Sequence, residues 1–108
     1  MCYAAMVPAD VPPAQIAEVE HLISFVQNSQ CIMTRNGKGY PAEEAVAHIK
    51  KKYDYFRDNI KNTEDFIDYS ASRSTMSGKD YTVTCAGTGT VTTRQWLLDE
   101  LSKYRSGE

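Results

Sequence analysis

The sequence predicts an α+β fold, mainly helical, with about four helices packed on a two-stranded antiparallel ribbon in the order α-β-α-α-β-α. Four stretches carry apolar residues at helical spacing, and two short runs, Cys31 to Arg35 and Tyr81 to Cys85, read as strands. A two-stranded ribbon is marginal alone, so it must lie against the helices. The 108 residues, 42% hydrophobic and 24% charged, suit one ordinary globular domain, expected over 13–105 with a flexible lead-in over 1–12.

Pro13 occupies the first helical turn, where its missing N–H costs nothing, and Ile16, Val19, Leu22, Ile23 and Val26 follow on one face of a helix over about 13–28. The first strand, Cys31 to Arg35, ends in the turn Asn36-Gly37-Lys38-Gly39. Pro41 opens a second helix, with Glu43 and Glu44 favoured by the exposed N–H groups of its first turn. Its stripe is Ala45, Ile49, Lys52, Phe56 and Ile60, widened by Val46 and Tyr53, and it should end near Asn62. Asn62 or Thr63 caps a third helix that buries Phe66, Ile67 and Ala71. In the second strand Tyr81, Val83 and Cys85 alternate with Thr82 and Thr84, and Ala86-Gly87-Thr88-Gly89 turns the chain out of it. Thr92 or Thr93 caps a last helix whose apolar side is Trp96, Leu97, Leu101 and Tyr104.

An antiparallel pair must gather its apolar residues on one side, which aligns the two strands. Setting Cys31 opposite Cys85 sets Met33 opposite Val83 and Arg35 opposite Tyr81, and turns Ile32, Thr34, Thr82 and Thr84 to the other face. This register brings two thiols within disulfide range. In an oxidising compartment the bond would be worth roughly 4 kcal/mol by the chain-entropy model; in the cytosol the same pair stays as buried free thiols.

Several classes of function fall away. With 14 acidic against 12 basic residues the net charge is −2, and the whole-chain field that nucleic-acid binding needs is missing. Lys50-Lys51-Lys52 covers about 200° of helix and so makes no flat patch. No apolar run approaches the roughly 18 residues of a membrane span. The two histidines and two internal cysteines have no metal-ligand spacing, so neither metal nor cofactor is expected. A Ser-x-x-Lys signature ending at Lys79 needs serine where Met76 stands, and a phosphate loop at Gly78-Lys79 needs glycine at Arg73 and a hydroxyl at Asp80. His21 and His48 border buried stripes, where a structural histidine is the ordinary reading.

Arg35-Asn36-Gly37, Glu44-Ala45-x-x-His48-Ile49-x-x-Lys52, Glu64-x-Phe66-Ile67 and Ser72-x-Ser74-x-x-Ser77-Gly78-Lys79-x-Tyr81 form an ordered motif set over about residues 16–104. In these the chain resembles the YfeK-like family of small exported proteins of unknown function from Gram-negative bacteria. The resemblance implies an export signal and a periplasmic address, and it transfers no activity, ligand or catalytic residue. Cys2-Tyr3-Ala4-Ala5 has the small-residue spacing of a signal-peptidase site cut after Ala4 or Ala5, so that Met1 and Cys2 would not belong to the folded protein. The other reading is the frayed N-terminus of a cytosolic protein.

The matching polar residues, Arg35, Asn36, His48, Lys52, Ser74, Ser77 and Lys79, are the candidate binding cluster, a small polar or anion-binding spot, because the register brings the end of the first strand and the start of the second to one ribbon end, where His48 and Lys52 could reach it from the second helix. Asn36-Gly37 also suits a tight turn, and Arg35 could stack on Tyr81. The leading expectation is a noncatalytic periplasmic module that binds a protein or cell-envelope component. One alternative is a small hydrolase or transferase using His48 and a serine of the 72–77 loop, which requires the imidazole within reach of a serine hydroxyl. Another is an inhibitor or immunity-type protein. Tyr55 and Tyr69 are expected to be exposed and permit an interface, and no oligomeric state is specified.

Overall fold

The computed structural model describes residues 11–107. The expected cleavage after Ala4 or Ala5 and the setting aside of Cys2 lie outside them. The order is α1 (Pro13–Asn28), β1 (Ile32–Arg35), β2 (Lys38–Tyr40), α2 (Ala42–Tyr55), α3 (Thr63–Ala71), β3 (Thr82–Cys85), β4 (Gly89–Thr92) and α4 (Thr93–Arg105). The fold is α+β and mainly helical, as expected, but the ribbon is wider: one antiparallel sheet of four strands in the order β2-β1-β3-β4.

The two additional strands come from segments read as turns. Asn36 and Gly37 both hold positive φ, 53° and 82°, and Arg35 pairs with Lys38 across them. This is the two-residue turn whose twist matches a hairpin, so the chain returns at once as β2. Gly39 lies in that strand, where an added Cβ would stand 3.0 Å from Ile32 Cγ2. At the other edge Thr88 N–H closes on Cys85 carbonyl at 3.2 Å and Gly87 takes φ 83°, which folds β4 back on β3. Strands of three and four residues, two of them begun or broken by glycine, carry too little alternation to be seen by pattern.

The central register is the expected one. Met33 faces Val83, Ile32 faces Thr84 and Thr34 faces Thr82. Met33, Val83 and Tyr81 are buried, whereas Ile32 is 44% exposed on the open face. Continued one step outward, the register joins Cys31 to Cys85 in a disulfide with the Cα atoms 4.5 Å apart.

The helices cover the other face, α2 lying on β1 and β2 and α4 on β3 and β4, while α1 and α3 each pack against both. The core gathers Val19, Leu22 and Val26 of α1, Ile49 of α2, Phe66 and Ile67 of α3 and Leu97 and Leu101 of α4. Truncating a buried side chain such as Phe66 to alanine costs about 3–5 kcal/mol. Val11, assigned to the lead-in by the sequence, belongs to this core at 3% exposure. Caps fall where expected: Asn62 accepts from Asp65 N–H at 2.7 Å, and Thr92 from Gln95 N–H at 3.2 Å.

Helix α2 is shorter than its stripe predicts. It stops at Tyr55, a single 3-10 turn covers Arg57–Asn59, and Ile60 is extended. Asp58 and Asn59 favour turns over helix interior, and Arg57 folds back to Asp54 at 2.6 Å. Ile60 still reaches the core, fully buried, from this turn.

Candidate functional site

Helix α2 carries Lys52 on a buried stripe because the apolar spacing of Ala45, Val46 and Ile49 rotates that face onto the sheet. Lysine is almost never this buried without a partner. Its exposure is 9%, and its ammonium donates to the Arg73 carbonyl at 2.8 Å and to the Tyr81 hydroxyl at 3.2 Å. Both acceptors are neutral. Burial first, then the Arg35 and Arg73 cations, pull the lysine below its ordinary pKa.

One turn earlier on α2, His48 Nε2 lies 3.1 Å from the same Tyr81 hydroxyl. Burial, reinforced by Arg35, Lys52 and Lys51, lowers the histidine pKa to about 4. The ring is therefore neutral at ordinary pH. Because Tyr81 accepts from Lys52 and has a single O–H to give, the consistent assignment has Tyr81 donating to His48 Nε2. Burial raises the Tyr81 phenol, and the Arg35 cation opposes that rise.

Arg35 ends β1, where the expected stacking on Tyr81 is replaced by another ring. Its guanidinium carbon stands 4.8 Å from the centroid of Tyr40 on β2, and Nη2 donates to the Tyr40 hydroxyl at 3.1 Å. The correction follows from the added strand: β2 places Tyr40 beside β1, which a two-stranded ribbon has no means of doing.

Asn36 ties the β1–β2 turn to the loop after α3. Its Nδ2 donates to Ser74 Oγ at 3.2 Å, and its Oδ1 accepts from Ser77 Oγ at 2.7 Å. Ser74 is buried and also accepts from Ser77 N–H at 3.3 Å. Lys79 enters only through its main chain, its N–H donating to Ser77 Oγ and its carbonyl accepting from Ser74 N–H. Of the seven candidate residues, Arg35, Asn36, His48, Lys52 and Ser74 line one cavity of about 400 Å³, while Ser77 stands behind Asn36 and the Lys79 side chain is not part of the lining.

The arrangement speaks against the hydrolase geometry. His48 meets the Tyr81 hydroxyl rather than a serine, and Ser74 and Ser77 are engaged with Asn36, so no described serine has the imidazole as its base. Among the described residues no group of three His, Cys, Asp or Glu side chains gathers as a metal site, and no helix is long and apolar enough to cross a membrane. His21 bonds Glu100 at 2.6 Å and stacks on Tyr104 at 4.3 Å, joining α1 to α4.

Sequence reasoning left four contributors outside the candidate cluster. The hydroxyl of Tyr81 is the hub, Tyr40 holds Arg35, and Tyr55 with Met76 forms the rim. A lysine on an apolar helical stripe was the available signal, since a buried ammonium demands acceptors somewhere nearby.

Fold and site together define a small disulfide-bonded α+β domain with a cation-lined pocket at one corner of its sheet. The chain belongs to a family of unknown function, DUF5329, whose model matches residues 13–105. It is 38% identical over 60 residues to the "Uncharacterized protein YfeK" of Salmonella typhimurium, which bears out the resemblance read from the motifs. That alignment covers 56% of this chain and 50% of the Salmonella protein, so the chain is matched over about half the length of its curated relative. No solved structure matches.

Proposed function

We propose that this protein is an exported, periplasmic, noncatalytic binding module of the cell envelope, and that Arg35, Asn36, His48, Lys52, Ser74, Ser77 and Lys79 belong to the surface that receives its partner. The observation that carries the reading is the Tyr81 hydroxyl shared by His48 and Lys52. It holds two functional-type side chains in fixed positions at a cavity, yet leaves His48 without a nucleophile to activate. Fixed polar groups with no reacting pair suit recognition better than turnover. The disulfide supports the address, because such bonds persist in oxidising compartments.

The test is photo-crosslinking in living Gram-negative cells from probes at Tyr55 and Met76, with cell fractionation of the full-length protein. One envelope component captured by the native surface, and lost on Arg35→Gln, is the expected result. Recovery of the protein from the cytoplasm, or capture that is the same for both proteins, rejects the reading.

A further inference from the structure

We infer that the cavity under Tyr55 and Met76 is a binding site for a small oxyanion, a carboxylate or a phosphate, gripped between Arg35, Lys52 and the Tyr81–His48 pair. This rests on the binding-module reading and names the ligand class of the same site.

The charge of the lining comes first. The cavity of about 400 Å³ is lined by Arg35, Lys51 and Lys52, and no aspartate or glutamate contributes to it. A larger cavity on the other side of Lys52 does contain Asp65 and Asp68, but these are committed elsewhere. Asp68 accepts from Arg94 Nε at 2.8 Å, and the Asp65 carboxylate accepts from Lys61 N–H at 3.1 Å. Lys52 makes no ion pair with any described carboxylate.

Unfilled donors come second. The Lys52 ammonium uses two of its three protons, on Arg73 carbonyl and Tyr81 hydroxyl. Arg35 Nη2 is spent on Tyr40, while Arg35 Nε is buried and has no hydrogen-bond partner. A buried donor left unmade costs free energy that a bound acceptor would restore. An oxyanion offers acceptors to a guanidinium and an ammonium at once, with charge assistance.

The surroundings come third. Arg35, Lys51 and Lys52 all lower the His48 pKa, the signature of positive charge gathered without a counterion. Arg35 of β1 and Lys52 and Lys51 of α2 act on this ring, Tyr81 before β3 bonds it, and Arg73 after α3 acts on Lys52; two paired carboxylates on or beside these elements are held by other cations, Asp80 3.7 Å from Arg73 and Asp54 2.6 Å from Arg57. Met76 is 96% exposed and Tyr55 79% exposed at the rim, which suits an anion attached to a small apolar body.

The disulfide-bonded protein is titrated with sodium acetate, sodium benzoate and sodium phosphate at constant ionic strength, chloride replacing the probe, while the His48 ring is followed by NMR across pH. The expected result is a saturable response to at least one oxyanion, with the His48 pKa raised from about 4, and binding weakened about tenfold or more by Arg35→Gln. Saturation by phosphate alone or by the carboxylates alone assigns the source, and benzoate ahead of acetate adds the apolar rim. Responses that grow linearly and equal those of chloride overturn the inference. In that case a partner still captured by crosslinking and lost on Arg35→Gln leaves the binding module standing without an anion; saturable anion binding with no captured partner rejects the module and leaves the site.

Discussion

His48 Nε2 stands 3.1 Å from the hydroxyl of Tyr81, across from Lys52 on the same oxygen at 3.2 Å. Tyr81 is 1% exposed, so this hydroxyl has no solvent to replace its partners. Tyr81→Phe keeps the ring but strips the acceptor from a buried ammonium. It is expected to lower stability by about 1–3 kcal/mol in urea denaturation, and an unchanged midpoint would show that the hub is not structural.

Acid should weaken the fold through His48. Burial holds its folded pKa at about 4, below the ordinary histidine value of 6.5. Between these values the unfolded chain binds a proton that the folded one refuses, so stability falls as pH drops from about 6.5 toward 4, by no more than about 3 kcal/mol. His48→Gln should flatten that part of the pH–stability profile; a profile of the same slope in the variant removes His48 as its cause.

The Cys31–Cys85 bond closes a separation of 54 residues. By the chain-entropy model its reduction costs about 4 kcal/mol, and less if the reduced chain retains structure. Intact-mass analysis should find the native protein lighter than its reduced form by two hydrogens, and thermal melting should occur at lower temperature with reductant. Thiol labelling of Cys31 and Cys85 without reductant contradicts this.

Asn36 combines two demands, a left-handed backbone with φ 53° and two side-chain bonds to Ser74 and Ser77. Asn36→Gly keeps the first and loses the second, while Asn36→Ala loses both. Alanine is therefore expected to be the more destabilising, by about 1 kcal/mol relative to glycine. Equal denaturation midpoints would mean that the turn carries no conformational cost.

Arg105 at the end of α4 bonds Glu18 of α1 at 2.8 Å and Glu64 of α3 at 2.7 Å. Hydrogen bonds from this guanidinium lower the pKa of both carboxylates. Their contribution is present above the ordinary glutamate range and is lost as pH falls through the lowered folded values. Arg105→Gln should cost about 1 kcal/mol, and the loss should shrink in high salt because the guanidinium is partly exposed. A salt-independent effect would point to packing instead.

Much of the fold was legible because it depends on local or pairwise rules. Proline at the start of α1, Asn62 and Thr92 as caps, and the apolar stripes set the helices within a residue or two, except where Asp58 and Asn59 ended α2 early. The β1–β3 register followed from one requirement, that Met33, Val83 and the two cysteines share a face. The edge strands were hidden because Lys38-Gly39-Tyr40 and Gly89–Thr92 owe their extended form to neighbours rather than to their own alternation. The sequence by itself determined the helical frame, the central strand pairing and which polar residues meet at one end of it. Only the tertiary structure decided what those residues do to one another: which ring Arg35 covers, which hydroxyl His48 and Lys52 share, and that Lys52 lies buried without a carboxylate. Those relations are set by side chains from α2, β1, β2, Tyr81 just before β3 and the loop after α3 converging in space, and no spacing along the chain encodes a contact between elements that far apart.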